Sequence, residues 1–459
     1  MGIRFYRSIR RIRRFFGHIS TTRSIVMVFL GIIVLGSVLL MLPVSSASGL
    51  PTDFRTALFT ATSATCVTGL SLVDTFTHWS GFGQAVILLL IQIGGLGFMT
   101  IVSMLFFAVN RRFGLKAKLL VAQSYGLEQL GGILGLVRRV LLGTLLIEGT
   151  GAALLTVRFC LQTDFFTALW QGVFHSVSAF CNAGFDIFGA VEAGGSLVLY
   201  AEDPAVNVIL MALIMLGGLG FFVWDDLLRS KRFRRLTVYS KLVLVISAVL
   251  TVGGAVLFAL MEWNNPQTLG NLSTGGKVLA VCFQSVTTRT AGFYTIPQGM
   301  LTGAGKALTD VLMFIGGSSG STAGGAKTVT IGVLLLSVAA AARGKSRVTV
   351  FRRTIASKQI SDAVAVVGMM FLAALSCGMV LSLTNALPFE DCMYESISAI
   401  ATVGLSTGIT ASLNALSQML LVVLMFFGRV GIMTVSLGLL MSDQAQEQYR
   451  YADTNVLIG

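Results

Sequence analysis

Eight apolar stretches, each near or above the roughly 20 residues that a helix needs to cross a bilayer, recur along the chain. They lie at 25–43, 82–108, 139–160, 204–223, 239–261, 307–342, 362–385 and 415–441. Hydrocarbon admits only structures that satisfy every backbone N–H and C=O internally, and runs of this length do so as helices. Since 54% of the 459 residues are hydrophobic and only 12% charged, the expected class is an all-α polytopic membrane protein with eight spans. The first run follows an Arg-rich arm, but at about 19 residues it is longer than a signal-peptide core. We read it as a helix.

The net charge of +13 raises the question of nucleic acid. Of the 33 Lys and Arg, 26 fall in five segments: Arg4 to Arg23, Arg111 to Arg139, Arg229 to Lys241, Arg343 to Lys358, and the tail with Arg450. These segments alternate with near-neutral or acidic loops, so spanning helices keep interrupting the positive charge and no single basic face forms. That pattern excludes a nucleic-acid surface. The positive-inside rule instead puts both termini and the basic loops in the cytoplasm. The six cysteines are scattered without a C-x-x-C pair, so neither a metal site nor a disulfide framework is expected.

An internal repeat organises the rest. "SATCVTG" ends at Gly69, "SAFCNAG" at Gly184, "VTTRTAG" at Gly292 and "SAIATVG" at Gly404, with the glycines 115, 108 and 112 residues apart. A second glycine series follows, "IGGLGF" from Ile93, "LGGLGF" from Leu216, "IGGSSG" from Ile315 and "FGRVGI" from Phe427. Each unit then reads as spanning helix, half-length segment, glycine stretch, spanning helix. The expected divisions are a basic arm (1–24), units at 25–112, 113–236, 237–345 and 346–441, and a tail (442–459). In the first two units the second glycine series is expected to serve close helix approach.

The charge rule places all four half-length segments on the external side. Their backbone tolerates membrane depth only if it is buried in protein or lines a wet cavity, a condition met when four segments face one another around an axis. Each short helix would aim its partially negative C-terminal end inward, and the stretch after it would offer carbonyl oxygens in place of a cation's hydration shell. Glycine at the last position permits the φ values that alternating carbonyls require. The candidate filter is therefore Thr65, Cys66, Val67, Thr68 and Gly69; Phe180, Cys181, Asn182, Ala183 and Gly184; Thr288, Arg289, Thr290, Ala291 and Gly292; and Ile400, Ala401, Thr402, Val403 and Gly404. An Arg289 side chain directed into the path would repel cations. It is expected to point behind the filter and leave its carbonyl available.

The third unit is longer than the others. From Gly316 to Arg343 it takes 27 residues, where the corresponding stretches take 17, 12 and 15. The excess matches an insertion at 316–327 comprising Gly316, Gly317, Ser318, Ser319, Gly320, Ser321, Thr322, Ala323, Gly324, Gly325 and, at its far end, Lys327. Its "GGSSGSTAGGAKT" comes close to the phosphate-loop pattern G-x-x-x-x-G-K-[ST], but Ala326 separates Gly325 from Lys327 and the register fails. Glycine costs a helix about 1 kcal/mol relative to alanine, so a mobile loop beneath the filter is expected instead. Arg429 falls at the same depth in the fourth unit, where a charge costs at least about 2.5 kcal/mol. Facing the cavity, it could donate hydrogen bonds to loop carbonyls, with Lys327 anchoring the far end, so that loop and arginine form a gate. A serine hydrolase built on Ser319 or Ser321 would need a histidine base within reach, and none of the three histidines is expected at that depth. Glu148, in the third span, has no assigned role; a structural pair is the simpler reading and ion coupling the alternative. His175 is expected to be a packed polar residue.

With "TATSATCVTGL" (60–70), "SAFCNAGFD" (178–186), "SVTTRTAGF" (285–293), "SAIATVGLSTG" (398–408), "GGSSGSTAGGAKT" (316–328) and "FFGRVGI" (426–432), the chain resembles the Trk/Ktr/HKT superfamily of potassium transport proteins. Its eight spans look most like the KtrB-type membrane subunit. The resemblance implies potassium uptake through the filter carbonyls in a bacterial plasma membrane, with sodium coupling as an option. It also implies a homodimer resting on a cytoplasmic octameric ring of RCK subunits. Any nucleotide would sit on that ring, with no cofactor on this chain. A less selective sodium/potassium symporter, or a sodium-permeable channel of the same superfamily, remains the alternative.

Overall fold

The computed structural model describes residues 21–97, 133–189, 195–345 and 347–431. Most of the basic arm, the segment from Arg111 to Lys118, the ends of the second and eighth expected spans and the 442–459 tail lie outside the described residues.

Four groups of helices follow in the same order. The first holds α1 (Thr21–Met41), α2 (Phe54–Cys66) and α3 (Gly81–Leu96). The second holds α4 (Ile133–Phe159), α5 (Phe165–Phe180), α6 (Pro204–Leu219) and α7 (Phe221–Ser230). The third consists of α8 (Val238–Glu262), α9 (Thr274–Thr287), α10 (Gly303–Phe314) and α11 (Thr328–Ala342). A small antiparallel hairpin, β1 (Thr349–Val350) and β2 (Arg353–Thr354), pairs Thr349 with Thr354. The fourth group holds α12 (Ser357–Asn385), α13 (Phe389–Ile400) and α14 (Ala415–Val430).

Capping residues explain where these helices begin. Asp53, Asp164 and Ser273 accept backbone N–H bonds at the starts of α2, α5 and α9, filling donors that a helix N-terminus leaves open. α13 has no such side-chain cap and instead carries Glu390 and Asp391 in its first turn, where negative charge is favourable. The helices that follow are capped in the same way, α3 by Ser80, α6 by Asp203, α10 by Thr302 and α14 by Asn414.

In the first, second and fourth groups the short helix packs on the helices on either side of it, and in the third α9 packs on α8, which also carries α10. Between groups the contacts run in a cycle: α3 lies on α5, α6 on α9, α10 on α13, and α14 returns to α2. The outer helices turn apolar side chains outward, with Leu146 71%, Leu260 77% and Leu383 83% exposed. Buried Thr62, Ser178, Gln284, Ser285 and Ser398 lie on the short helices. An apolar exterior around a polar interior is what a bilayer solvent selects.

Among the described residues, α4 from Val137, α8 and α12 are each long and apolar enough to cross a membrane, and α6 with α7 reaches that length only across a 92° bend. Here the structure corrects the expectation. Among the described residues, the helices in the runs 82–108, 204–223 and 415–441 end early. α3, α6 and α14 stop at Gly97, Gly220 and Gly431, whose φ values are +77°, +92° and +93°. Glycine is the residue that takes this C-terminal conformation without a Cβ penalty. In the second unit the chain resumes after Gly220 as α7 at that bend, so an interruption expected of the third unit alone is found there too; the residues after Gly97 and Gly431 lie outside the described residues.

Candidate functional site

The C-terminal ends of α2, α5, α9 and α13 converge. Two residues before each glycine the chain enters the left-handed region, at Val67, Asn182, Thr290 and Thr402 with φ between +51° and +66°. Gly69, Gly184, Gly292 and Gly404 follow with φ of +96°, +71°, +80° and +93°. Val and Thr rarely adopt such angles, so the surroundings must impose them. A methyl group on Gly69 would lie 2.5 Å from the Ala183 carbonyl oxygen, on Gly184 2.8 Å from that of Ala291, and on Gly292 2.6 Å from that of Val403; on Gly404 it would overlap that of Thr68. The four glycines therefore close a ring in which each abuts the carbonyl preceding its neighbour.

Hydroxyl residues at the helix ends hold this ring. Ser63 accepts Thr68 N–H on its carbonyl (2.8 Å) and Gly69 N–H on its hydroxyl (3.0 Å). Ser398 does the same for Val403 and Gly404 at 2.8 and 3.0 Å. In the second unit the Ser178 carbonyl accepts Ala183 N–H (2.7 Å), and its hydroxyl donates to the Phe185 carbonyl at 2.7 Å. Val286 stands at this position in the third unit, and the adjacent Thr287 takes over: its carbonyl accepts Ala291 N–H at 2.9 Å and its hydroxyl donates to the Phe293 carbonyl.

The second glycine series supports the ring from below. A methyl on Gly94, Gly217 or Gly428 would overlap the carbonyl of Thr65, Phe180 or Ile400, so α3, α6 and α14 approach the ring backbone as closely as glycine allows. In the third unit Gly316 abuts the Gly324 carbonyl instead, because here the chain departs as the 315–327 loop. Outside the ring a cavity of about 360 Å³ is lined by the four glycines, Asp74, Asp186, Tyr294 and Ser406. Burial and then the nearby Asp74 charge push the Asp186 carboxyl up to about 6.

Backbone pairing closes the loop at its neck, where Gly316 N–H donates to the Ala326 carbonyl at 2.9 Å. The loop then wraps the end of α6. Ser318 N–H reaches the Gly218 carbonyl (3.1 Å), Thr322 N–H that of Gly217 (3.3 Å), and Phe221 N–H the Gly320 carbonyl (2.9 Å). Helix-end groups without partners inside the helix are thereby satisfied, which is why α6 can stop within the membrane. The loop continues to the fourth unit, where a methyl on Gly324 would overlap the Thr402 hydroxyl and Gly325 faces the Ala401 carbonyl.

Arg429, at the end of α14, donates through Nη1 to the Thr322 carbonyl of the loop and through Nη2 to the carbonyls of Gly94 and, at 3.2 Å, Gly95. Lys327 Nζ donates to the Ala323 carbonyl at 2.8 Å. The Arg289 guanidinium turns behind the ring, to the Ser247 carbonyl (3.3 Å) and the Thr328 hydroxyl (3.1 Å). Its carbonyl is already engaged by Asn182 Nδ2, at 3.4 Å, where the sequence had left it available. Glu148 accepts Gln92 Nε2 on both oxygens, at 3.2 and 3.1 Å, and the Cys181 thiol at 3.7 Å. His175 is wholly buried and stacks on Phe188, with Nδ1 facing the Gln171 carbonyl (2.7 Å) and Nε2 accepting Ile187 N–H (3.3 Å). Both nitrogens are used, so it braces the chain after Gly184 and is not free to bind a ligand.

The profile of TrkH, a cation transport protein family, matches residues 16–448. The chain belongs to this cation transport family. It is 38% identical over 455 residues to the potassium/sodium uptake protein NtpJ of Enterococcus hirae, covering 98% of this chain and 99% of that protein. To the Ktr system potassium uptake protein B of Bacillus subtilis it is 39% identical, covering 93% and 94% of the two chains. The corresponding Vibrio alginolyticus protein is 36% identical over 439 residues, covering 95% of this chain and 94% of that protein. The crystal structure of the potassium transporter TrkH from Vibrio parahaemolyticus shares its fold, with a TM-score of 0.66 at 17% identity, covering 90% of this chain and 84% of that one. As a family member the chain is a multi-pass plasma-membrane transport protein and not an enzyme.

Three functional features escaped the sequence. Glu395, fully buried, accepts the Ser406 hydroxyl (2.5 Å), Thr407 N–H (3.2 Å) and the Thr410 hydroxyl (2.9 Å), and so fixes the chain beyond Gly404. Asn182, expected only as a filter residue, also links the ring to the loop. The capping residues of the helices after the ring form a fourfold series of their own, legible in Ser80, Asp203, Thr302 and Asn414 as helix-start residues.

Proposed function

We propose that this chain takes up potassium through the glycine ring, which acts as its selectivity filter, and that the 316–327 loop with Arg429 gates the path on the cytoplasmic side. The ring carries the reading: four glycines at positive φ, each where a Cβ would meet a neighbour's carbonyl oxygen, lie against a cavity that bears Asp74 and Asp186. Carbonyl oxygens in such a ring replace the water around a cation. The inward-negative membrane potential supplies about 2.3 kcal/mol per charge per 100 mV, so accumulation needs no other energy source. Eight spans in four repeats around one pore fit the cyclic contacts between the helix groups. The name of the B. subtilis relative, one protein of a Ktr system, supports a separate regulatory component; the resemblance to KtrB-type subunits further implies a homodimer on a cytoplasmic octameric RCK ring that holds the nucleotide.

The test is potassium uptake in a transport-deficient bacterium, with and without a ring subunit, for the wild type and Gly292→Ser. A Cβ at Gly292 meets the Val403 carbonyl at 2.6 Å with φ at +80°, so uptake and selectivity should both fall. Unaltered transport would overturn the filter assignment. A second reading, joint sodium and potassium uptake, is favoured by the E. hirae relative, whose name carries both ions. Rubidium uptake that requires sodium would select it.

A further inference from the structure

Thr322 lies at the centre of the loop and every one of its polar atoms is engaged. Its N–H meets the Gly217 carbonyl at 3.3 Å, and its carbonyl accepts from Arg429. Its hydroxyl stands 3.0 Å from both the Asn182 Oδ1 and the Phe180 carbonyl. Asn182 is itself a ring residue, at the left-handed position two before Gly184. Of the four residues there it alone is a type that visits this conformation readily, and it alone carries an amide. The other end of that amide, Nδ2, donates to the Arg289 carbonyl at 3.4 Å. One side chain thus joins the loop to the ring segments of the second and third units.

A second link reaches the loop at its hinge. The Arg289 guanidinium donates to the Thr328 hydroxyl (3.1 Å), which donates to the Gly316 carbonyl (2.9 Å), while Thr328 N–H donates to that of Gly317 at 3.0 Å. Residues 316 and 328 bracket the loop. Its two ends are therefore held by the same arginine whose carbonyl Asn182 holds. Thr322 thus meets Arg429 through its carbonyl and Asn182 through its hydroxyl, so moving Thr322 itself out of the path would break both contacts.

We propose that Asn182 and Thr322 are specificity-determining positioning residues, through which the position of the gating loop sets the geometry of the filter. The proposal rests on reading the ring as filter and the loop as gate. When the loop withdraws, the Asn182 amide loses its partner and the second and third filter segments relax. Among the described residues, the first segment has no such tie to the loop. By the reciprocity of linked equilibria, an ion that favours the ordered ring favours the closed loop.

The test measures rubidium and sodium flux by the purified full-length protein in lipid vesicles, for Thr322→Val, Thr322→Ser, Asn182→Asp and Gly292→Ser. Thr322→Val is nearly isosteric and removes only the hydroxyl. Losing one buried hydrogen bond corresponds to about a fivefold change in an equilibrium, so the rubidium-to-sodium ratio should fall by about that factor while total flux rises. Thr322→Ser restores the hydroxyl and should restore the ratio. Asn182→Asp retains an acceptor for Thr322 but loses the donor to Arg289, and should lower the ratio as well. If Thr322→Val changes flux with the ratio untouched, or if Thr322→Ser fails to restore it, the coupling is overturned. Gly292→Ser reads the filter separately: with the ratio intact in that variant, it is the filter assignment that fails.

Discussion

The most exacting demands at the scale of single residues come from glycines that have no room for a side chain. Gly217 sits where a methyl would overlap the Phe180 carbonyl, whereas beside it Gly218 has its nearest neighbour, Asn182 Nδ2, at 3.7 Å. Overpacking of this kind costs about 1–3 kcal/mol. Gly217→Ala should therefore lower the thermal midpoint of the detergent-solubilised protein, and Gly218→Ala should leave it near the wild-type value; equal midpoints would contradict the close approach. Asp186 allows a pH prediction. Its carboxyl is raised to about 6 by burial and by Asp74, so it is anionic above that pH and neutral below. Uptake at limiting external potassium should weaken as the external pH falls through about 6, and Asp186→Asn should flatten that profile.

At the scale of elements, the early ends of α3, α6 and α14 at glycines are the main departure from the sequence reading. A glycine that stops a helix and a glycine that lets one approach look alike in the chain. "IGGLGF" and "LGGLGF" suggested close approach, which Gly94 and Gly217 provide, but their last glycines, Gly97 and Gly220, take positive φ and end the helix. The 316–327 loop was legible as an insertion by its length. Its attachments were not, since the expected mobile segment is tied by backbone bonds to α6 and by Arg429 to α3. Because Arg429 bridges the loop and α3, Arg429→Ala should raise cation flux into vesicles severalfold without the regulatory ring. Deleting 317–324 should do the same, and unchanged flux in both variants would overturn the gate.

At the scale of the whole molecule, the helix groups are arranged so that the helix following the glycine stretch of each, α3, α6, α10 or α14, packs on the short helix of another, closing a cycle. The ring is thereby held from outside by every group, and no glycine stretch stands alone. By itself the sequence determined the helical membrane class, the four glycine stretches, the long third unit and the resemblance to potassium transport proteins. All of these are read from local properties: the length of an apolar run, the residue that tolerates positive φ, and the spacing between copies. Only the tertiary structure decided that Asn182 meets Thr322, 140 residues away, and that Arg429 meets Gly95 across 334 residues. A hydrogen-bonding side chain specifies the kind of partner it needs but not which one. That choice follows from the cyclic packing of the helix groups on one another, which brings residues far apart in the chain within hydrogen-bonding distance.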